Sequence, residues 1–435
     1  MRKLKTDFIR YVSFNILAMI SVSIYILADT YFISKALGAT GLAALNFAIV
    51  VFSLIHGVSL MTGVGGAIDF AISDTGKMDS GDESFVNALV IGAVCSVFLM
   101  VIGLFFNHEL AVFLGADVET IGPTKIYLKT ILVFSPFFIL NQIVLAFVRN
   151  DKNPRLSMMA MALSSFSNIV LDYVFIFSLN MGIFGAAFAT SISPIISLVL
   201  LSIHFKSRNN RFHLVKCKIK MTKILRMIKY GIPSFVTELS SAITLFAFNW
   251  VILGIVGNIG VAAYGIIANV AIVVVALFTG LAQGIQPLVS RYYSKSNDRG
   301  LRSTLKYSLV TSSAIFVFVI LTVFLFSTEV VEVFNSEGSR ELSRIAVPGL
   351  KLYFSGFMFA GFNIVLTSYY SAISKTSFAW MISILRSGVI LVPMVLLLSA
   401  RFELVGVWVA FGATEFLVTV LILLRNILIE RKQIE

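Results

Sequence analysis

The sequence predicts an all-α membrane protein of twelve transmembrane helices, arranged in two six-helix lobes related by a pseudo-two-fold axis along the membrane normal. Three observations lead there. Of its 435 residues 58% are hydrophobic and only 13% charged, whereas water-soluble domains run near 45–50% and about 25%. Charge-free runs such as Tyr11–Ala28, Ala36–Ile68, Ser84–His108 and Tyr307–Thr328 reach or exceed the roughly 20 helical residues needed to cross about 30 Å of hydrocarbon. The chain also repeats itself: Gly38-Ala39-Thr40-Gly41-Leu42-Ala43-Ala44 is echoed 219 residues later by Gly257-Asn258-Ile259-Gly260-Val261-Ala262-Ala263. Each copy leads into a long apolar run that ends in a Gly-rich stretch, Gly63-Val64-Gly65-Gly66 in one and Gly280-Leu281-Ala282-Gln283-Gly284 in the other, as expected of an internal duplication.

Hydropathy places the spans at 9–34, 41–70, 84–107, 126–148, 156–179, 183–205, 229–255, 260–290, 306–327, 346–373, 379–400 and 403–425. An N-terminal lobe, 1–205, and a C-terminal lobe, 230–435, are then joined by a basic linker, 206–229. Six helices per half is an even number, so the copies run parallel, an arrangement found in transporters whose site lies between repeats. Of the 34 Lys and Arg residues, 26 fall on the side of the termini, seven on the other, and Arg386 lies inside a span. The positive-inside rule therefore puts both termini and the linker in the cytoplasm. The acidic loop around Asp74, Lys77 and Asp79 opposes that trend, but acidic residues weigh little in orientation. A full-length apolar run follows Met1–Arg10 without a small-residue cleavage site, so the first span is expected to stay as an anchor in a plasma (inner) membrane. Two cysteines, Cys95 and Cys217, and four scattered histidines make neither a disulfide framework nor a metal motif. The net charge of +12 lies between spans rather than along a helix face, which argues against a nucleic-acid partner. No nucleophile, base and orienting group converge in a recognisable motif, so an enzyme is not expected.

Charged side chains within spans cost about 2.5–3.5 kcal/mol each on insertion scales and mark functional positions. Five stand out: Asp29 in span 1, Asp172 in span 5, Glu238 in span 7, Arg386 in span 11 and Glu415 in span 12. Asn168 and Asp172, four residues apart, share a helical face. An amide beside a carboxylate suits a proton or a sodium ion, and Asp29 would add a second carboxylate. The plainer alternative is that Asp29 sits in water near the outer end of its span while Asn168 and Asp172 act as polar glue between helices. Glu238 follows Pro233 on a span carrying Ser234, Thr237, Ser240, Ser241 and Thr244, a polar stripe facing protein or a cavity. It is read either as a charge that recognises a cationic substrate or assists coupling, or as an interfacial residue. Arg386 and Glu415 are expected to neutralise each other. His56 stands alone in span 2 and is expected to be a packed or hydrogen-bonded residue rather than a proton relay.

The stretch Tyr25-Ile26-Leu27-Ala28-Asp29-Thr30-Tyr31-Phe32-Ile33, followed by Leu37-Gly38, resembles the multidrug and toxic compound extrusion (MATE) family. So do Arg149-Asn150-Asp151-Lys152-Asn153-Pro154-Arg155, Asn168-Ile169-Val170-Leu171-Asp172, Met181-Gly182-Ile183-Phe184-Gly185-Ala186-Ala187, Gly231-Ile232-Pro233-Ser234 and Gly284-Ile285-Gln286-Pro287. The likeness spans nearly the whole chain and is to the MepA-like branch. It implies a two-lobe fold whose central cavity alternates between sides, exchanging protons or sodium for organic cations or amphipathic drugs. It also implies a cation site in the N-terminal lobe at Asp29, Asn168, Asp172 and Thr190; Thr190 enters on the resemblance alone. The chain departs from the family pattern in three places. Glu238 comes about one helical turn earlier than the span 7 glutamate of some members, span 10 has no acid between Leu352 and Ser374, and span 1 has no proline.

The expectation is thus a monomeric antiporter without a cofactor beyond its coupling ion, H+ or Na+, the latter held by Asp29, Asn168, Asp172 and Thr190. A lipid-linked precursor or polysaccharide flippase of the same superfamily is the competing expectation. Such a protein needs several cationic residues in its cavity, and Arg386 is the lone intramembrane candidate in the sequence.

Overall fold

The computed structural model describes residues 2–73, 78–208, 210–217, 219–335 and 339–434; Asp74, Lys77 and the side chains of Asp79 and Ser241 lie outside it. The backbone is almost entirely helical, because hydrocarbon offers no partner for a free N–H or C=O and a helix satisfies both within one segment. In chain order the spans are α1 Leu4–Gly38, α2 Ala43–Ser73, α3 Gly81–Phe105, α4 Ile121–Val133 with Ser135–Asn150, α5 Pro154–Ser178 and α6 Gly182–Phe205. The second half continues with α7 Met221–Val256, α8 Ile259–Ser294, α9 Asp298–Phe334 and α10 Arg340–Ser355 with Phe357–Ala372. The stretch Thr376–Arg425 is interrupted at Glu403, whose φ of 49° and ψ of −130° separate α11 from α12. Twelve spans result among the described residues, as the hydropathy predicts. The boundaries shift: α7 begins at Met221, so the end of the expected linker, 221–229, is helical, and a short helix, Asn107–Phe113, follows α3.

The duplication is visible in the irregularities of the helices. Gly38 (φ 61°, ψ −152°) and Gly257 (φ 74°, ψ −157°) turn α1 into α2 and α7 into α8, in a backbone region that is essentially reserved for glycine. Both α4 and α10 bend midway, by 46° and 43°. Both are followed by a non-Gly residue at positive φ, Lys152 and Ser374. Both α5 and α11 contain a π-helical turn, Val174–Ser178 and Leu385–Val389. Backbone geometry that departs from the ideal helix at matching places is a stronger sign of a repeat than the short sequence echo.

Each lobe has its own apolar core. One runs from Ala18 through Ile55, Phe70, Leu128, Phe147 and Leu201, the other from Phe248 through Ile267, Phe354 and Trp408. The first turns of each half cross over: Phe8, Tyr11 and Val12 of α1 pack with Leu281, Ile285 and Leu288 of α8, while Met227 of α7 joins the N-terminal core. Small residues make these crossings close. A Cβ on Gly231 of α7 or Gly65 of α2 would run into the carbonyl oxygens of Met61 and Met227, and one on Gly284 of α8 would lie 2.8 Å from the Val12 Cα.

In the C-terminal lobe, Arg386 of α11 and Glu415 of α12 pair through Nη2 to Oε1 at 2.7 Å and Nε to Oε2 at 2.8 Å. Asn363 of α10 donates to the same carboxylate at 2.7 Å and accepts from Thr419 at 3.1 Å. The expected mutual neutralisation of Arg386 and Glu415 is therefore what the structure contains, with Asn363 added.

Two outcomes are expected from this packing. Arg386→Met strands Glu415 and should destabilise the protein by about 3–5 kcal/mol, with much of the loss recovered in the Arg386→Met, Glu415→Leu double variant; thermal unfolding in detergent reads both, and equal stability of the two variants would contradict the pairing. Gly231→Val should cost about 1–3 kcal/mol through overpacking against α2, read as a lowered melting temperature, and an unchanged one would contradict the close crossing.

Candidate coupling site and lobe joint

Asp29 of α1, Asn168 and Asp172 of α5 and Thr190 of α6 are all buried, at 7%, 1%, 0% and 6% exposure. Asp29 is therefore not in water, as the plainer sequence reading had it. Asn168 reaches Thr190 Oγ1 at 3.3 Å across the α5–α6 contact. With its amide turned to satisfy both ends, Asn168 donates to Asp172 Oδ2 at 3.1 Å and accepts from the Thr190 hydroxyl and backbone N–H, each at 3.3 Å. Polarity then runs one way, from Thr190 through the Asn168 amide to Asp172.

The chain of donors ends before all acceptors are met. Asp29 Oδ1 and Asp172 Oδ1 are buried without a hydrogen-bond partner, a costly condition for a polar atom shielded from water. The two carboxyls lie within electrostatic reach of each other, and Tyr25, one turn before Asp29 on α1, is within reach of both. The helix loosens beside them, since the π-helical turn Val174–Ser178 starts two residues after Asp172. Such turns insert an extra residue and occur often at functional sites. Two unpartnered carboxyl oxygens, the one on Asp172 with an amide and a hydroxyl near it, are oxygen donors of a kind that suits a hard cation or a proton.

Glu238 is not at that cluster. It sits on α7 with Oε1 3.1 Å from His56 Nδ1 of α2, both side chains 29% exposed, and His56 Nε2 lies 3.1 Å from Gln142 Nε2 of α4. His56 is thus hydrogen-bonded, one of the two outcomes expected from the sequence, with one partner in each lobe. The polar stripe of α7 divides: Thr237 bonds Ser383 at 3.1 Å and Ser240 bonds Ser387, both on α11, while Glu238, one position on from Thr237, turns toward the N-terminal lobe.

Sequence reasoning also treated Arg149 as an interhelical topology charge. It lies in the last turn of α4, 3% exposed, and donates to Asn15 of α1 at 2.8 Å and to Gln283 of α8. Asn150 and Gln286 bond beside it at 3.3 Å, Arg291 of α8 donates to the Tyr11 phenol at 3.1 Å, and Arg226 of α7 holds Asp69 of α2 at 2.6 Å. These groups join the lobes at the end that carries the N-terminus and the linker. The Arg149-Asn150 and Gly284-Ile285-Gln286 motifs were the available signal; their contact across the joint was not readable from spacing.

Comparison with known proteins agrees with this architecture. The sequence profile of the MatE family matches residues 15–174 and again 233–397, once in each half. The chain is 26% identical over 388 residues to the multidrug export protein MepA of Staphylococcus saprophyticus, covering 88% of this chain and 85% of that protein. It is 28% identical over 391 residues to MepA of Staphylococcus aureus strain MRSA252, with the same coverage. Among solved structures it superposes on the outward-facing conformation of a multidrug resistance MATE family transporter of the MOP superfamily with a TM-score of 0.90 at 22% identity, covering 96% of this chain and 94% of that one. A MOP superfamily transporter from Pyrococcus furiosus gives a TM-score of 0.89 at 22% identity over the same shares. With a family profile matched over both halves of its twelve-helix fold, this multi-pass membrane protein belongs to the MATE family of transporters, and its relatives are MepA-like.

Proposed function

We propose that the chain is a secondary active antiporter that exports cationic or amphipathic drug-like compounds in exchange for protons or sodium. The observation that carries this reading is the pair of buried, unpartnered carboxylate oxygens on Asp29 and Asp172 beside Asn168 and Thr190. A proton or a sodium ion bound there relieves two uncompensated acceptors at once, so its arrival and departure change the energy of the α1–α5–α6 packing. The names of the MepA relatives supply the export of drugs. Glu238, partly exposed and turned toward His56 of the N-terminal lobe, is read as the charge that meets a cationic substrate or assists coupling.

In this reading the lobes 1–205 and 230–435 move as bodies about the linker 206–229, and the protein works as a monomer in a bacterial or archaeal plasma membrane with both termini in the cytoplasm. The sealed joint at Arg149, Gln283, Arg226 and Asp69 is then the cytoplasmic gate in its closed position. No cofactor is required beyond the coupling ion. The flippase alternative loses its intramembrane cation, because Arg386 is taken up by Glu415.

The decisive experiment is dye efflux from proteoliposomes under an imposed pH gradient and, separately, an imposed sodium gradient. One of the two gradients is expected to drive ethidium transport, and Asp172→Asn is expected to reduce it to the level of empty vesicles while leaving the protein folded. Transport driven by neither gradient, or full efflux by Asp172→Asn, would sink the proposal. Removing Arg149 should act differently: Arg149→Ala leaves Gln283 and Asn15 without their shared donor and is expected to raise labelling of a cysteine at the joint by a membrane-impermeant thiol reagent applied to the cytoplasmic face, and unchanged labelling would argue against a gate there.

A further inference from the structure

His56, Gln142 and Glu238 come from three helices and two lobes, and their order fixes a charge. The Glu238 carboxylate can only accept, so His56 Nδ1, at 3.1 Å, must donate to it. The group facing His56 Nε2 is the amide nitrogen of Gln142, also at 3.1 Å, and an amide nitrogen can only donate. With the amide in this orientation, Nε2 presents its lone pair. An imidazole with a proton on Nδ1 and a lone pair on Nε2 is neutral. A protonated ring would set N–H against N–H, unless the Gln142 amide turned over to offer its oxygen.

The neighbourhood reinforces this arrangement. Phe52, one turn earlier on α2, stacks on the imidazole at 6.3 Å between centroids with the planes within 4°, and Phe138 of α4 holds Phe52 edge-on at 5.6 Å, so the ring's orientation is fixed. Gly57, next to His56, leaves room for α7: a Cβ there would lie 3.0 Å from the Phe235 ring and 3.6 Å from Glu238 Cβ. Tyr25 of α1 is within electrostatic reach of Glu238, as it is of Asp29 and Asp172.

We infer that Gln142 holds His56 as a neutral, Nδ1-protonated imidazole, so that Glu238 keeps a full negative charge between the lobes and the His56–Gln142 pair sets the preference for organic monocations. His56 and Gln142 are positioning residues here. Had His56 been charged, the pair with Glu238 would be neutral overall and a cationic substrate would have to displace an internal counter-ion. With His56 neutral, the carboxylate is oriented by a hydrogen bond yet electrically uncompensated, and discrimination follows from charge rather than shape. The inference rests on the reading of Glu238 as a charge that meets the substrate, and it makes no use of ion coupling.

Two measurements on the purified, full-length protein test it. The first is tetraphenylphosphonium binding at neutral pH. Glu238→Gln and His56→Lys, which remove or compensate the charge, are expected to weaken it at least tenfold, whereas His56→Gln, which keeps a neutral donor, is expected to weaken it only about threefold. Tenfold tighter binding by His56→Gln would mean that the native ring carries a compensating charge, and equal losses in His56→Lys and His56→Gln would mean that the ring only packs; either overturns the inference. The second needs no folded variant beyond an assignment: nitrogen-15 spectra of histidine-labelled protein, compared with His56→Gln, should show a neutral Nδ1–H tautomer for His56, and an imidazolium signature would refute it. Intact binding with these signatures but no gradient-driven efflux would count against antiport and leave the inference standing.

Discussion

The rest of the structure depends on the two glycine-lined crossings at which the lobes touch. Helices in lipid gain no hydrophobic energy by associating, so they must interlock through close backbone packing and polar contacts. Gly65 and Gly231 supply that on one side of the pseudo-two-fold, and Gly280 and Gly284 on the other. Because Phe8, Tyr11 and Val12 at the start of the first half sit in the core of the second, and Met227 at the start of the second sits in the core of the first, each lobe begins inside its partner. The lobes are therefore anchored at one end and held there by polar groups that water could replace. Amides, one buried guanidinium and the Asp69–Arg226 pair join the lobes beside these apolar contacts.

The lobes are equal in backbone and unequal in chemistry. Bends, π-helical turns and left-handed residues recur in both halves. The charged groups do not. In the N-terminal lobe the acids Asp29 and Asp172 keep oxygens without partners; in the C-terminal lobe Glu415 is satisfied by Arg386 and Asn363. The saturated carboxylate ties α10, α11 and α12 together, whereas the orphaned oxygens lie on α1 and α5. Symmetry of fold thus coexists with asymmetry in how the buried acids are satisfied.

Much of this was legible in the sequence, for a definable reason. Span count and repeat follow from hydrophobic run length and glycine spacing, which are local properties. Asp29, Asn168 and Asp172 could be singled out because charge in an apolar run is conspicuous, and Arg386 with Glu415 because opposite charges in neighbouring spans must meet. Thr190 was reachable through family likeness alone, since a threonine in an apolar helix is commonplace. His56 and Arg149 escaped because their meaning lies in partners far along the chain, Glu238 and Gln142 for one, Asn15 and Gln283 for the other. Helical spacing within one span carries no information about such partners. Arg149 was further disguised by its place at a helix end, where a basic residue normally reports orientation.

The hairpin turns at Gly38 and Gly257 reward one more thought. Neither has any atom within 4 Å of where a side chain would begin, so space would admit almost any residue. Their backbone angles, positive φ with ψ near −155°, admit almost none. A survey that ranked positions by crowding would score both as permissive, and one that ranked them by torsion would score them among the least replaceable in the chain. For a protein whose surface is largely lipid-facing, tolerance to change is governed at these two points by the geometry of the main chain alone.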